Sequence, residues 1–210
     1  MRKVFKSKII YDIAIALFFM SIFVLCFYIT LDDKVSSAIS LINIFGGEKV
    51  EEYKETEVKY DLKSRSLVDF PYFGEKYATL KISKMKLELP IYHGDTLKIL
   101  RKGVGHYAGS YFPGENGTVL LAAHNTSKFF KNLDLLEPND EIIIETKYGT
   151  FKYIVDSSKV VKETDLDAFK ITHDQEKLIM YTCYPINRSV VGRKTKRYVV
   201  YAHEVGDKHE

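Results

Sequence analysis

The stretch LKISKMKLELPIYHG, residues 80–94, repeats with a period of two. Leu80 and Ile82 alternate with Thr79, Lys81 and Ser83, then Met85, Leu87, Leu89 and Ile91 alternate with Lys86, Glu88 and Pro90. Successive side chains of a strand point to opposite faces, so this pattern predicts strands with one face buried. The apolar phase slips near Ser83 and Lys84, which predicts a turn or bulge between two short strands. Further along, FPGENGTVLLAAH (112–124) supplies turn residues and then a continuous apolar strand, Thr118 to Ala123, buried on both faces. EIIIETKYGTFKYIVD (141–156) reads as a hairpin turning at Lys147 to Gly149, followed by a loop over 156–177. LIMYTC (178–183) and RYVVYA (197–202) are the last strands. Short helices are predicted near 95–102 and near 127–136, where Phe129, Phe130, Leu133 and Leu136 share one face. Many short strands, regular turn signals and few helices predict an all-β barrel or sandwich.

The composition bounds the function. The chain has 210 residues, 46% of them hydrophobic, with 15 Tyr and 13 Phe. That is enough for an aromatic-rich core in one domain with appendages. The net charge is only +3, with Lys and Arg scattered among 28 acidic residues, which argues against nucleic acid as a partner.

Arg2, Lys3, Lys6 and Lys8 precede a run without charge from Ile13 to Leu31. As a helix it is long enough for the roughly 30 Å hydrocarbon core of a bilayer. A cleaved signal peptide is the alternative, with SSA at 36–38 as a cleavage site, but the apolar run is longer than signal peptides carry. Cations before the span and a mixed flank after it place the N-terminus in the cytoplasm and the remainder outside. Residues 32–74, including the charge-dense EKVEEYKETEVKYDLKSRS (48–66), read as an extracytoplasmic stalk. The expected organisation is an N-terminus and transmembrane anchor (1–31), a stalk (32–74) and a catalytic β-barrel (75–210).

Three polar residues stand at strand ends: His124, Cys183 and Arg197. The only other cysteine, Cys26, lies in the predicted span, so Cys183 has no disulfide partner in its own domain. A thiolate nucleophile needs a neighbouring imidazole to move protons, and an arginine can donate to an oxyanion without losing its charge. These residue types suit acyl transfer. A buried apolar cysteine, a hydrogen-bonded strand-end histidine and a solvated arginine of the basic turn GRKTKR are the other readings of the same residues.

The sequence resembles the sortases, the membrane-anchored cysteine transpeptidases of Gram-positive bacteria. The resemblance runs from about Tyr77 to Val205. It is carried by LKISKMKLELPIYHG (80–94), GVGHYAGSYFPGENGTVLLAAHN (103–125), IMYTC (179–183) and Arg197 before an apolar strand. It maps the family's histidine to His124 and its cysteine to Cys183. Of the family's Thr-Leu-x-Thr-Cys pattern only Thr182 and Cys183 match, with Ile179 and Met180 in place of the first Thr and Leu. Arg197 fits the place of the arginine better than Arg188 or Arg193, and Arg193 is the fallback. YTCYP (181–185) and the lack of a second hydrophobic tail look most like class D. DFPYF (69–73) is not the Asp-Pro-aromatic lid motif of the pilus-building class, and the large class B insertion is missing.

The resemblance implies a closed eight-stranded β-barrel with short helices, behind one N-terminal transmembrane helix. It implies cleavage of a Leu-Pro-x-Thr-Gly-like sorting signal on surface proteins after Thr, a thioester on Cys183, and transfer to an amine of a cell-wall precursor. His124 would be general acid and base, Arg197 would hold the substrate backbone and oxyanion, and Leu120, Ala122, Tyr181 and Thr182 would contact substrate. Residues 156–177 take the place of the specificity loop. Some relatives bind calcium with acids near it, where this chain has Glu163, Asp165 and Asp167, but the run reads as a solvated loop with a helix start. No cofactor or metal is expected. His106 reads as structural. An extracytoplasmic thiol protease and a non-enzymatic surface domain with an inert cysteine are the rival functions. The Ser-His-Gly-Cys signature of L,D-transpeptidases is absent.

Overall fold

The computed structural model describes residues 15–24, 58–61, 64–186 and 194–206. Two compact units are present, one within residues 1–43 and one within 44–210. In the first, residues 15–24 form a helix (α1) with exposed side chains, among them Phe18, Phe19 and Phe23. The rest of the predicted anchor, Cys26, and residues 32–57 of the predicted stalk lie outside the described residues. Among the described residues, no helix is long and apolar enough to cross a membrane.

The second unit is a closed eight-stranded barrel. Its strands are β3 (Lys76–Ile82), β4 (Leu87–His93), β5 (Val104–His106), β6 (Thr118–Ala122), β7 (Glu141–Thr146), β8 (Gly149–Lys162), β9 (Lys177–Tyr184) and β10 (Lys196–Glu204). The order around the barrel is β10-β8-β7-β3-β4-β5-β6-β9. Closure pairs every strand edge, which leaves no open ladder for other chains. Two junctions, β4–β5 and β6–β9, are parallel, and the others are antiparallel.

The phase slip at residues 83–85 is a single 3-10 turn, Ser83–Met85, closed by Lys86 at φ 49. It lets Leu80 and Ile82 on β3, and Leu89 and Ile91 on β4, enter one core. The hairpin at Lys147–Tyr148 joins β7 and β8 as its sequence predicts. Two expectations differ from the structure. Residues 156–162, read as loop, continue β8, paired with β10 from Lys162–Lys196 onward. Their side chains are exposed except Val161, so no apolar alternation marks a strand that β10 holds by its backbone. Residues 127–136 are turns ending in a 3-10 helix, Leu133–Leu135, rather than a longer helix. Phe129, Phe130, Leu133 and Leu136 are all buried in the barrel core, so tertiary contacts satisfy this spacing without an α-helix. A segment this short gains little from helix propagation. Near 95–102 only one turn is helical, α2 (Leu97–Leu100), capped by the Thr96 hydroxyl accepting from Ile99 N–H.

The last part of the predicted stalk belongs to the body. A two-stranded ribbon, β1 (Tyr60–Asp61) with β2 (Ser66–Leu67), lies against the barrel, and Leu67 is buried in its core cluster. Tyr60 Oη donates to the Gly114 carbonyl at 2.8 Å, and Arg65 Nε to the same oxygen at 3.1 Å. Arg65 also pairs with Glu204 at 2.8 Å and with the buried Glu176 at 3.4 Å.

Candidate active site

The period of two on β9 divides its side chains between two environments. Leu178 and Met180 enter the barrel core, whereas Ile179 and Tyr181 join a second apolar cluster. That cluster lies on the other face of the same strands: Leu120 from β6, Val161 from β8 and Val199 from β10, covered by Ala168 and Phe169 of the 3-10 helix Leu166–Phe169. Cys183 continues the series of Ile179 and Tyr181, Arg197 that of Val199 and Tyr201, and His124 that of Leu120 and Ala122. Cys183 and Arg197 are therefore on the barrel's outer face, in line with one apolar floor, and His124 follows β6 two residues beyond its end.

Register pairs two of them. Cys183 and Arg197 are Cα partners on antiparallel β9 and β10. β6 runs parallel to β9, with Leu120 opposite Ile179 and Ala122 opposite Tyr181. Past the end of β6, Ala123 N donates to the Tyr181 carbonyl at 3.3 Å. The Thr182 hydroxyl donates to the Ala123 carbonyl at 2.8 Å. Asn125 Nδ2 donates to the carbonyls of Cys183 (3.1 Å) and Pro185 (3.2 Å). His124 lies in the chain between Ala123 and Asn125, the two residues so tied to the cysteine strand. Its carbonyl accepts from Phe130 N at 2.9 Å, and its Nε2 is buried without a partner among the described residues. Burial lowers its pKa from the ordinary histidine value, and the nearby Arg101 charge adds to the effect.

A cavity of about 630 Å³ runs over the floor, lined by Asp95, Tyr107, Leu120, Glu163, Phe169, Ile171, Tyr181 and Arg197 among others. The Tyr181 phenol is pushed up to about 12, first by burial and then by the Asp95 carboxylate, so it stays protonated at neutral pH. Lys194, in the connection before β10, donates from Nζ to the Pro185 carbonyl at 3.1 Å. Burial lowers its pKa, against the pull of the nearby Cys183. Of the three groups Arg197 lines this cavity and Cys183 is its cross-strand partner; a thiol, an imidazole with a free buried nitrogen and a guanidinium have the chemistry to transfer an acyl group of a peptide.

Of the residues expected to contact substrate, Leu120 and Tyr181 line the cavity and Ala122 continues the outward series of β6. Thr182 does not join them. It is 1% exposed, points inward on β9 and is bonded to Ala123, which follows from its even position between Tyr181 and Cys183. Arg188 and Arg193 lie outside the described residues. Sequence reasoning missed Asn125, and it missed Glu163 as the partner of Arg197. The one available signal was that each is a polar residue within a few positions of a strand end. His106 is fully buried against Tyr77 and Phe112, and its Nε2 donates to the Tyr111 carbonyl at 3.0 Å. Burial takes its pKa down to about 3, so it is a neutral core residue that fixes the loop after β5.

The sequence model of the sortase domain matches residues 80–205. Sortase D of Bacillus subtilis (strain 168) is 38% identical over 135 residues, which cover 64% of this chain and 67% of that protein. A sortase D5 transpeptidase from Clostridium perfringens superposes with a TM-score of 0.57 at 30% identity, over 64% of this chain and 82% of the other. Sortase C1 from Streptococcus suis does so with a TM-score of 0.58 at 28% identity, over 65% and 76%.

Proposed function

Because the chain belongs to the sortase family, most like class D, and is a cysteine transpeptidase, we propose that Cys183, His124 and Arg197 carry its chemistry. The substrate is a Leu-Pro-x-Thr-Gly-like sorting signal at the end of a surface protein. The observation that supports this reading is that Cys183 stands opposite Arg197 in register, with the loop that carries His124 tied to the cysteine strand through Asn125 and Thr182.

The Cys183 thiolate adds to the threonine carbonyl, and the oxyanion forms within reach of the Arg197 guanidinium. Protonated His124 gives its proton to the departing glycine nitrogen as the C–N bond breaks, leaving a thioester. An incoming amine of a cell-wall precursor attacks that thioester and passes a proton to His124. The amide forms and the thiolate is released. Leu120, Ala122 and Tyr181 contact the bound peptide, and Thr182 supports the cysteine from inside the barrel. Neither metal nor cofactor enters these steps.

The uncharged run 13–31 anchors the enzyme, with its N-terminus cytoplasmic and the barrel outside. An anchor of this kind holds the site near lipid-linked amines, where high effective concentration lets an amine outcompete water. The test supplies a Leu-Pro-x-Thr-Gly-type peptide with an excess of a short wall-peptide amine. Mass spectrometry should find threonine joined to the amine, and free threonine acid as the only product would instead make the enzyme a thiol protease.

A further inference from the structure

Arg197 has a neighbour on each side: across β10 it faces Cys183 on β9 and Val161 on β8. Its guanidinium carries five N–H donors and no acceptor, so it turns to the best anionic acceptor in reach. On the β9 side the group that becomes such an acceptor on losing its proton is Cys183. On the β8 side it is Glu163, the residue after β8, whose own N–H donates to the Thr195 carbonyl at 2.9 Å and so fixes it beside the start of β10. In the structure the β8 side has it: Nη2 donates to Glu163 Oε2 at 2.7 Å. Nη1 donates to the carbonyls of Lys194 (2.7 Å) and Lys196 (2.9 Å). The two charged side chains are 19% and 18% exposed, and both line the cavity. A partly buried pair of this geometry is screened less than a surface pair.

We propose that Glu163 is the positioning residue of Arg197, holding the guanidinium over the groove and away from the thiol so that its remaining donors serve the peptide. Two effects follow. Glu163 neutralises Arg197, the cation opposite Cys183 in the ladder, so that charge is not directed at the thiol. It also prevents a thiolate–guanidinium pair that a substrate carbonyl would have to displace. The second effect rests on the transpeptidase reading and the first does not.

The experiment follows alkylation of Cys183 by iodoacetamide against pH in the full-length chain, read by mass spectrometry on the peptide carrying Cys183. The other groups around the thiol and the arginine are His124 beyond β6, Lys194 before β10, Tyr181 on β9 and Asp95 across the cavity. They are the same in every variant. In Glu163→Gln the alkylation midpoint should fall by about one pH unit, because Arg197 is released toward the thiolate. Adding Arg197→Gln should cancel that fall. In the same Glu163→Gln enzyme, kcat/KM for peptide cleavage should drop about tenfold, mainly through KM, although the thiol is more reactive. A midpoint that stays or rises in Glu163→Gln, or a fall that persists without Arg197, would overturn the proposal. Unchanged kcat/KM with a lowered midpoint would overturn the part reserved for substrate. A midpoint that falls as expected in Glu163→Gln, while the wild-type chain transfers no peptide, would uphold the positioning and remove the transpeptidase reading.

Discussion

Cys183 and Arg197 stand directly opposite each other across the antiparallel β9–β10 pair. Their side chains therefore leave the same face of the barrel, and cross-strand partners have Cβ atoms about 5 Å apart. The ladder sets this proximity, and the length of the connection between the strands does not. Cys183→Ala should abolish peptide cleavage with little change in melting temperature, since the side chain is only half-buried at a strand end. Arg197→Lys should lower kcat/KM about a hundredfold, because an ammonium cannot reproduce the fork of donors. Steady-state cleavage of a labelled sorting-signal peptide measures both.

Asn125 makes the only side-chain amide bonds, among the described residues, from the histidine loop to the cysteine strand. Asn125→Ala leaves two carbonyls without this donor, at a cost of about 1–2 kcal/mol. Urea denaturation should show that loss. The turnover rate should fall by more than stability explains, since His124 is adjacent in the chain and its loop loses two ties to the cysteine strand.

His106 makes the protein sensitive to acid. Its folded-state pKa, about 3, lies below the value of about 6.5 for an unfolded histidine. Between these values the unfolded chain binds a proton that the folded chain does not, so stability rises with pH through that window and is lost as pH falls through it. Denaturant midpoints measured from pH 7 down to pH 4 should fall steadily. His106→Gln should flatten that slope even if it lowers stability at pH 7.

The ribbon at residues 60–67 should contribute to the stability of the barrel. Deleting the chain through Leu67 removes a buried leucine and the Arg65 pairs with Glu204 and Glu176, so it should cost about 2 kcal/mol or more. Calorimetry on chains beginning at residues 58 and 68 provides the comparison. Equal melting temperatures would return the segment to the role of a spacer.

Strands with one face in the core were legible, because Leu80, Ile82, Leu89 and Ile91 follow a period that only an extended chain produces. The candidate site was legible as three reactive residues at strand ends. The pairing of Cys183 with Arg197 was not, since it depends on register between β9 and β10, and no local pattern encodes register between distant segments. Residues 156–162 were hidden for the opposite reason: β10 supplies their backbone bonds, so their side chains are free to be serine and lysine. The ribbon was hidden by its charges, which mask Tyr60 and Leu67. Thr182 was misplaced because a motif marks position in the chain, and the pleat alone decides which side of the strand it faces.

The Arg65–Glu204 pair joins residues 139 positions apart. During synthesis the ribbon leaves the ribosome before any barrel strand, yet its acidic partner ends the last one. β10 is also the strand that bridges β8 and β9 to complete the ring. The bonds of Tyr60 and Arg65 to Gly114 can form earlier, but the ion pair must wait for the latest strand, so it is the last tie of the first element made.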